Sequence, residues 1–413
     1  MAVARAGTKR EMAEKSRKHV LHLRGVGRLA IDATRGITDL VEAMHQTIAH
    51  GPKMFPNPVA LLSLGPAAIV YGSVRRISAA VGATIDIALR ELEPLVPALP
   101  TPATAESVIA ALNGVLGDYL AATANPLAIE MELRREGRAI AMDREALRSA
   151  FPRATGKVLM LVHGSSMSDV HWDRLGHDHG AALERDLGYS AVYLRYNSGL
   201  HVSTNGRALA GLLEALTALW PVPIEQLAIV SHSMGGLVSR SACHAAAAAG
   251  HSWPALLRKM IFLGTPHHGT HLEQRGNWVD VALGITPYSA PFARRGKIRS
   301  AGVTDLRFGS LLDEDWENRD RFDWGRDSRR PVPLPTGVDC YAIGAIRTRD
   351  VGSVSPFAGD GLVPLASALG RHRKPEMTLG FPQSRQWVAA GMSHVDLLSH
   401  REVYGVISHW LRG

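Results

Sequence analysis

The stretch LAIVSHSMGGLVSR, Leu227 to Arg240, constrains the fold more than any other part of the chain. Apolar residues run into a cluster of serines, a histidine and glycines, and then into a helix-like pattern. That order predicts a strand, a very sharp turn and a helix, with one serine held at the turn. In such an elbow the residues two before and two after the central one must be small, because strand and helix almost collide there. Centred on Ser233, those places are filled by Ser231 and Gly235. Centred on Ser231 they would be Ile229 and Ser233, and the isoleucine would clash. Ser233 is therefore the predicted elbow residue, with Ser231 standing where glycine is usual.

The surroundings agree with a strand–turn–helix unit. KVLMLVHG is a continuous apolar run of the buried-strand kind, and LAIEMELRREGRAIAM predicts a hairpin turning at Glu136-Gly137. Strand and helix signals then alternate through HGAALERDLG, SAVYLRYNSG, GRALAGLLEALTALW, QLAIVSHS, RKMIFLGTP, VDCYAIGAI, SRQWVAAGMSH and REVYGVISHWL. Alternation of this kind implies an α/β fold, a mostly parallel sheet with helices on both faces. Between about His268 and Pro335 it lapses into a long segment with scattered Trp, Phe and Arg, expected as a lid inserted over the carboxyl edge of the sheet. The α/β part is expected over 126–413 and a helical accessory or cap region over 1–125. In the latter, Ile31, Ile37, Leu40, Val41 and Met44 form a helical stripe, and prolines at 94, 97, 100 and 102 interrupt the pattern before AESVIAALNGVLGDYLAAT.

Apolar residues make up 46% of the chain and charged ones 20%, an ordinary globular composition. The net charge of +8 is concentrated at the start, where Met1–Gly36 carries nine Lys/Arg against three Asp/Glu. The remainder is near neutral, which gives a nucleic-acid partner little support. A basic helical arm suits peripheral contact with an anionic membrane, or a solvated tail. MAVARAGTKREMAEKSRKHVLHL lacks the apolar core of a secretory signal, and Asn57–Val74 is short and broken by Gly65 and Pro66. The expectation is a cytoplasmic chain, peripheral to a membrane at most. Cys243 and Cys340 have no partners at metal-ligand spacing and are expected as free, buried thiols.

A serine hydroxyl is a poor nucleophile at neutral pH. It needs a base, and the base needs an orienting acid. In the hydrolase arrangement these follow in the order serine, acid, histidine. SPFAGDGLVPLAS offers Asp360 in a Gly-flanked turn, and AAGMSHVDLLSH offers His394 after the last strand. Asp350 is the alternative acid, whereas Asp396, so close to His394 in sequence, is expected to point elsewhere. The oxyanion that develops needs fixed donors. Met234 follows the nucleophile, and in LVHGSSMSD the amide of Ser165 follows His163-Gly164, where glycine permits close approach. The pairs His177/His179 and His267/His268 with His271 lack complete zinc ligand sets, and no phosphate-loop motif is present, so neither metal nor cofactor is expected.

Taken together, VHGSSMS, SHSMGGLVSR, FLGTPHHGT, GDGLVP and MSHVDLL resemble the α/β-hydrolase superfamily, in particular bacterial lipases and esterases and the GPI inositol-deacylase-like hydrolases. The resemblance spans roughly Gly156 to the C-terminus. It implies a serine carboxylester hydrolase acting on an acyl ester or lipid, with Ser233, Asp360 and His394 as triad, an HG-type oxyanion hole and a lid after GTPHHG. A phospholipase or inositol deacylase, or an acyltransferase that excludes water, would share these residues. The rival from another class is a catalytically silent, membrane-associated interaction protein, for which three converging polar groups would serve no purpose.

Overall fold

The computed structural model describes residues 103–270, 300–319, 327–349 and 358–412. The basic segment Met1–Gly36, the apolar stretch Asn57–Val74, His271, Asp350 and most of the expected lid lie outside them.

The elements follow in the order α1 (Ala103–Ala122), β1 (Glu132–Arg135), β2 (Arg138–Ile140), α2 (Arg144–Ala150), β3 (Lys157–Val162), α3 (His179–Leu187), β4 (Ser190–Arg195), α4 (Val202–Leu219), β5 (Gln226–His232), α5 (Met234–Ala249), β6 (Leu257–Leu263), α6 (Ala301–Asp305), β7 (Asp339–Ile346), α7 (Leu365–Ala368), β8 (Gln386–Ala390) and α8 (Arg401–Arg412). The eight strands form one sheet in the order β2-β1-β4-β3-β5-β6-β7-β8. β1 pairs antiparallel with both β2 and β4, and every other pairing is parallel. This is an α/β-hydrolase fold.

The central strands β3, β5, β6 and β7 read as apolar runs because both faces are covered. Side chains alternate across the sheet. Val158, Met160 and Val162 of β3 join one core with Leu209 and Leu213 of α4 and Leu237 of α5. Leu159 and Leu161 face the other way, into a second core with Leu183 of α3 and Val403, Ile407 and Leu411 of α8. α3 stops where Gly188 adopts φ 71°, a left-handed C-cap that glycine takes without steric cost.

The connections leave β3 toward β4 on one side and return to β5 on the other. β3 and β5 are neighbours in the sheet, with Val162 opposite Ser231. The sheet order therefore reverses between these two strands, the place in an open α/β sheet where loops diverge and leave a crevice at the carboxyl edge. The loops after β3 and β5 border that crevice.

Sequence assigned AESVIAALNGVLGDYLAAT to the accessory region, but α1 packs within the same compact unit as the sheet. Two glycines in the interior of a helix each cost about 1 kcal/mol relative to alanine, so their presence calls for a packing reason. Here both face loops of the sheet. A Cβ on Gly114 would stand 2.0 Å from Ser166 Oγ, and one on Gly117 would stand 1.8 Å from Asn197 Oδ1. Asn197 Nδ2 donates to the Gly117 carbonyl (2.9 Å), and Asn113 Oδ1 accepts from the Ile129 amide (2.9 Å). Glu106 binds Arg195 of β4 and lies 3.6 Å from Arg134 of β1, which also reaches Asp169 (3.0 Å).

The described part of the expected lid is packed against the body. Ser300 Oγ donates to the Gly114 carbonyl (2.6 Å), and buried Asp305 accepts from the Val202 amide (2.7 Å) at the start of α4. No described helix is long and apolar enough to cross a membrane.

Candidate active site

Ser233 stands between β5 and α5 at φ 53°, ψ −126°. A non-glycine residue held there costs on the order of 1–3 kcal/mol, so its surroundings must enforce it. The Ser233 amide donates to the Leu263 carbonyl (2.8 Å). A Cβ on Gly235 would lie 2.5 Å from the carbonyl oxygens of Val162 and His163, and one on Gly236 would lie 2.1 Å from Thr265 Oγ1. Only glycine lets the first turn of α5 approach β3 and the loop after β6 this closely. Ser231 fits because its hydroxyl has a place to go. Ser239 Oγ donates to the Gly235 carbonyl (2.8 Å), leaving its lone pair for the Ser231 hydroxyl at 3.2 Å.

Asp360 and His394, 34 residues apart, are brought together. Their side chains meet at 2.6 Å between Oδ2 and Nδ1, and the His394 amide donates to the Asp360 carbonyl (3.2 Å). The other carboxylate oxygen accepts from the Leu362 (2.9 Å) and Val363 (2.8 Å) amides in the tight turn at Gly361, φ 102°. With Nδ1–H committed to the carboxylate, Nε2 carries the free lone pair. Asp396 turns instead to Ser393, accepting from its amide (2.9 Å) and hydroxyl (2.6 Å).

Ser233, Asp360 and His394 are all buried, at 3%, 2% and 4% exposure, so a charge developing among them would be poorly screened by water. The His394 ring lies over Gly264, whose Cβ would stand 3.0 Å from Nδ1. Among the described residues no hydrogen bond joins Ser233 Oγ to His394. Such contacts often tighten only when substrate binds.

His232, which sequence reasoning passed over, links the two halves of the site. Its Nε2–H donates to the His394 carbonyl (3.1 Å), and the two rings are 4.6 Å apart. Burial, then the neighbouring His394, pushes its pKa well below that of an ordinary histidine, so it works as a neutral donor. The only sequence signal was its place beside Ser233.

The loop after β3 leans on the elbow. A Cβ on Gly164 would lie 3.0 Å from Ser233 Cβ. Tyr196 Oη donates to the His163 carbonyl (2.9 Å), and Ser198 Oγ accepts the Ser166 amide (2.9 Å). The His163 ring stacks on Tyr196 at 4.3 Å, and burial lowers its pKa to about 3. Neutral His163 uses Nδ1–H to reach the Gly164 carbonyl (2.8 Å). Among the described residues, neither the Ser165 nor the Met234 amide meets a protein acceptor. Met234 is the first residue of α5, where helix geometry leaves N–H groups unpaired. A strained serine, two free amides and a buried histidine–carboxylate pair share one sheet edge. Groups of these kinds, so placed, can perform acyl transfer.

The other candidates have local partners. His177 Nε2 meets His179 Nδ1 (2.8 Å), and His179 Nε2 meets the Leu397 carbonyl (3.0 Å). His268 Nε2 meets the Gly370 carbonyl (3.1 Å). Among the described residues no group of three or more His, Cys, Asp or Glu is placed to hold a metal ion. Cys243 and Cys340 are buried and unbridged, and burial raises both thiols to about 12.

Residues 134–297 match a family described as a domain of unknown function (DUF7379). No curated protein matches the chain. Among solved structures, the mature lipase BlEst2 of Bacillus licheniformis aligns at 19% identity and a TM-score of 0.40, over 62% of this chain and 91% of its own. Lipase B of Aspergillus fumigatus aligns at 13% identity and 0.37, over 67% and 59% respectively. The esterase Pf2001 of Pyrococcus furiosus aligns at 13% identity and 0.37, over 62% of this chain and 83% of its own.

Proposed function

We propose that the chain is a serine carboxylester hydrolase acting on acyl esters, with Ser233 as nucleophile, His394 as general base and acid, Asp360 as the orienting carboxylate, and the Ser165 and Met234 amides as oxyanion donors. The observation that carries this reading is the pairing of the strained Ser233 elbow with the buried His394–Asp360 hydrogen bond on one sheet edge. A structural histidine–aspartate pair needs no serine at an unfavourable φ beside it.

In the proposed cycle the Ser233 hydroxyl proton passes to His394 Nε2 as Oγ attacks the ester carbonyl. The carbonyl oxygen becomes an oxyanion held by the two amides. Asp360 keeps the imidazole in the Nδ1–H tautomer and stabilises the imidazolium. Collapse expels the alcohol, which takes the proton from Nε2 and leaves an acyl-Ser233. Water, deprotonated by His394, releases the acid and restores the hydroxyl.

The test is hydrolysis of p-nitrophenyl esters from acetate to palmitate, with Ser233→Ala alongside. Turnover by the native chain that vanishes in Ser233→Ala supports the mechanism and reports acyl-length preference. Comparable turnover by both proteins refutes it.

A further inference from the structure

Arg240 lies seven residues beyond Ser233 on α5, about 10 Å along the helix. Its side chain is buried, with the residue 4% exposed, and among the described residues it makes no ion pair. A buried guanidinium without a carboxylate is costly, because desolvation is uncompensated. Here burial lowers its pKa to about 10, and the next influence, the like charge of Arg329, works in the same direction. Its hydrogen bonds are to neutral groups. Nη2 donates to the Val332 carbonyl, and Nη1 lies 3.3 Å from His267 Nδ1.

That last contact sets the tautomer of His267. With Nδ1 accepting from Arg240, the proton sits on Nε2, and this N–H is buried without an acceptor among the described residues. Arg240 Nε–H is likewise buried and unpartnered. His268, which spends Nε2 on the Gly370 carbonyl, leaves Nδ1 buried and unpaired. Arg240, His267, His268 and Arg329 line a cavity of about 120 Å³, room for several waters or one tetrahedral oxyanion. The carboxylates near it are engaged or at the rim. Asp327 holds Arg329 through two bonds of 2.9 Å, Asp315 accepts the Leu311 (2.9 Å) and Leu312 (3.1 Å) amides, and Glu376 is exposed.

We propose that this cavity is an anion site that takes a phosphate group, its oxygens accepting from Arg240 Nε–H and His267 Nε2–H, with Arg329 adding charge. Bound phosphate supplies the counter-charge that Arg240 lacks and the acceptors that two buried donors lack. None of Ser233, Asp360 or His394 lines the cavity, so the site is separate from the proposed nucleophile and independent of the hydrolase reading.

The experiment is calorimetric titration of the full chain with inorganic phosphate, at ionic strength fixed with chloride. A second arm uses phosphatidylcholine vesicles with and without phosphatidic acid. Two variants accompany each arm. Arg240→Gln removes the buried charge. Gly380→Asp adds a carboxylate at the cavity rim, where a Cβ meets nothing within 4 Å, so the fold is preserved even if Arg240→Gln does not fold. Saturable binding by the native chain is expected, with Kd raised on the order of tenfold by Gly380→Asp and binding abolished in folded Arg240→Gln. Binding of inorganic phosphate identifies a small soluble phosphate as the ligand, and a response confined to phosphatidic acid identifies a lipid headgroup. No saturable binding in either arm, or binding unchanged by Gly380→Asp, overturns the proposal.

Discussion

His394 Nδ1 and Asp360 Oδ2 lie 2.6 Å apart, while the other oxygen of the same carboxylate accepts from the Leu362 and Val363 amides. Both oxygens are thus committed to donors, and the carboxylate is fixed by its own turn before it meets the imidazole. An asparagine cannot satisfy both sides. Its NH₂ must face either the two backbone N–H groups or His394 Nδ1–H. If it faces the histidine, the imidazole is driven to the wrong tautomer. Asp360→Asn is therefore expected to lower turnover of p-nitrophenyl acetate by roughly ten-thousand-fold. Asp350→Asn, outside the described residues, is expected to change it little. The reverse ranking would move the acid to Asp350.

Ser233→Ala and His394→Ala should each reduce turnover on the order of a million-fold, because the members of such a unit fail together. Ser231→Gly should leave turnover nearly intact. It removes one buried hydrogen bond to Ser239, while Ser239 keeps its bond to the Gly235 carbonyl. The stability loss expected in urea unfolding is about 1 kcal/mol.

Gly114 tests whether α1 helps shape the site. An added Cβ meets Ser166 Cα at 2.8 Å as well as the hydroxyl, so the backbone beside Ser165 must shift. Gly114→Ala should lower kcat on the order of a hundredfold with the fold retained by circular dichroism, as expected for a displaced oxyanion donor. For the same reason a chain begun near Asn125, which lacks α1, is expected to be inactive or insoluble. One begun at Ala103 should cleave short esters. Equal activity of the two truncated chains would count against any role for α1.

Acid should destabilise the protein well above the carboxylate range. Burial lowers His163 to about 3 and His179 to about 4, so both are neutral in the folded state near neutrality. The unfolded chain protonates its histidines near 6.5, and between that pH and the folded values it binds more protons. Stability from these groups is complete above pH 6.5 and falls as pH drops toward 4, by about 3 kcal/mol at most for His179 alone. Denaturant midpoints measured from pH 7 to pH 4 should fall, and less steeply in His179→Gln. A midpoint that is flat over this range would show that neither ring stays neutral.

The sequence by itself determined what is local. The apolar runs of β3, β5 and β6, the turn at Glu136-Gly137 and the small residues around Ser233 are read from neighbours in the chain, because periodicity and steric size act over a few residues. Tertiary structure decided what depends on long-range approach. It joined Asp360 to His394 across 34 residues and hung the His394 carbonyl on His232. It drew α1 out of its expected accessory region onto the loops at Ser166 and Asn197, contacts for which the glycines at 114 and 117 were the sole trace in the sequence. It also buried Arg240 among neutral hydrogen-bond partners, with no carboxylate on it among the described residues, which in the sequence is one more arginine on a helix. Each depends on which loops the sheet order carries to one edge, and strand order is set by the closing of non-local contacts, about which the local pattern is silent.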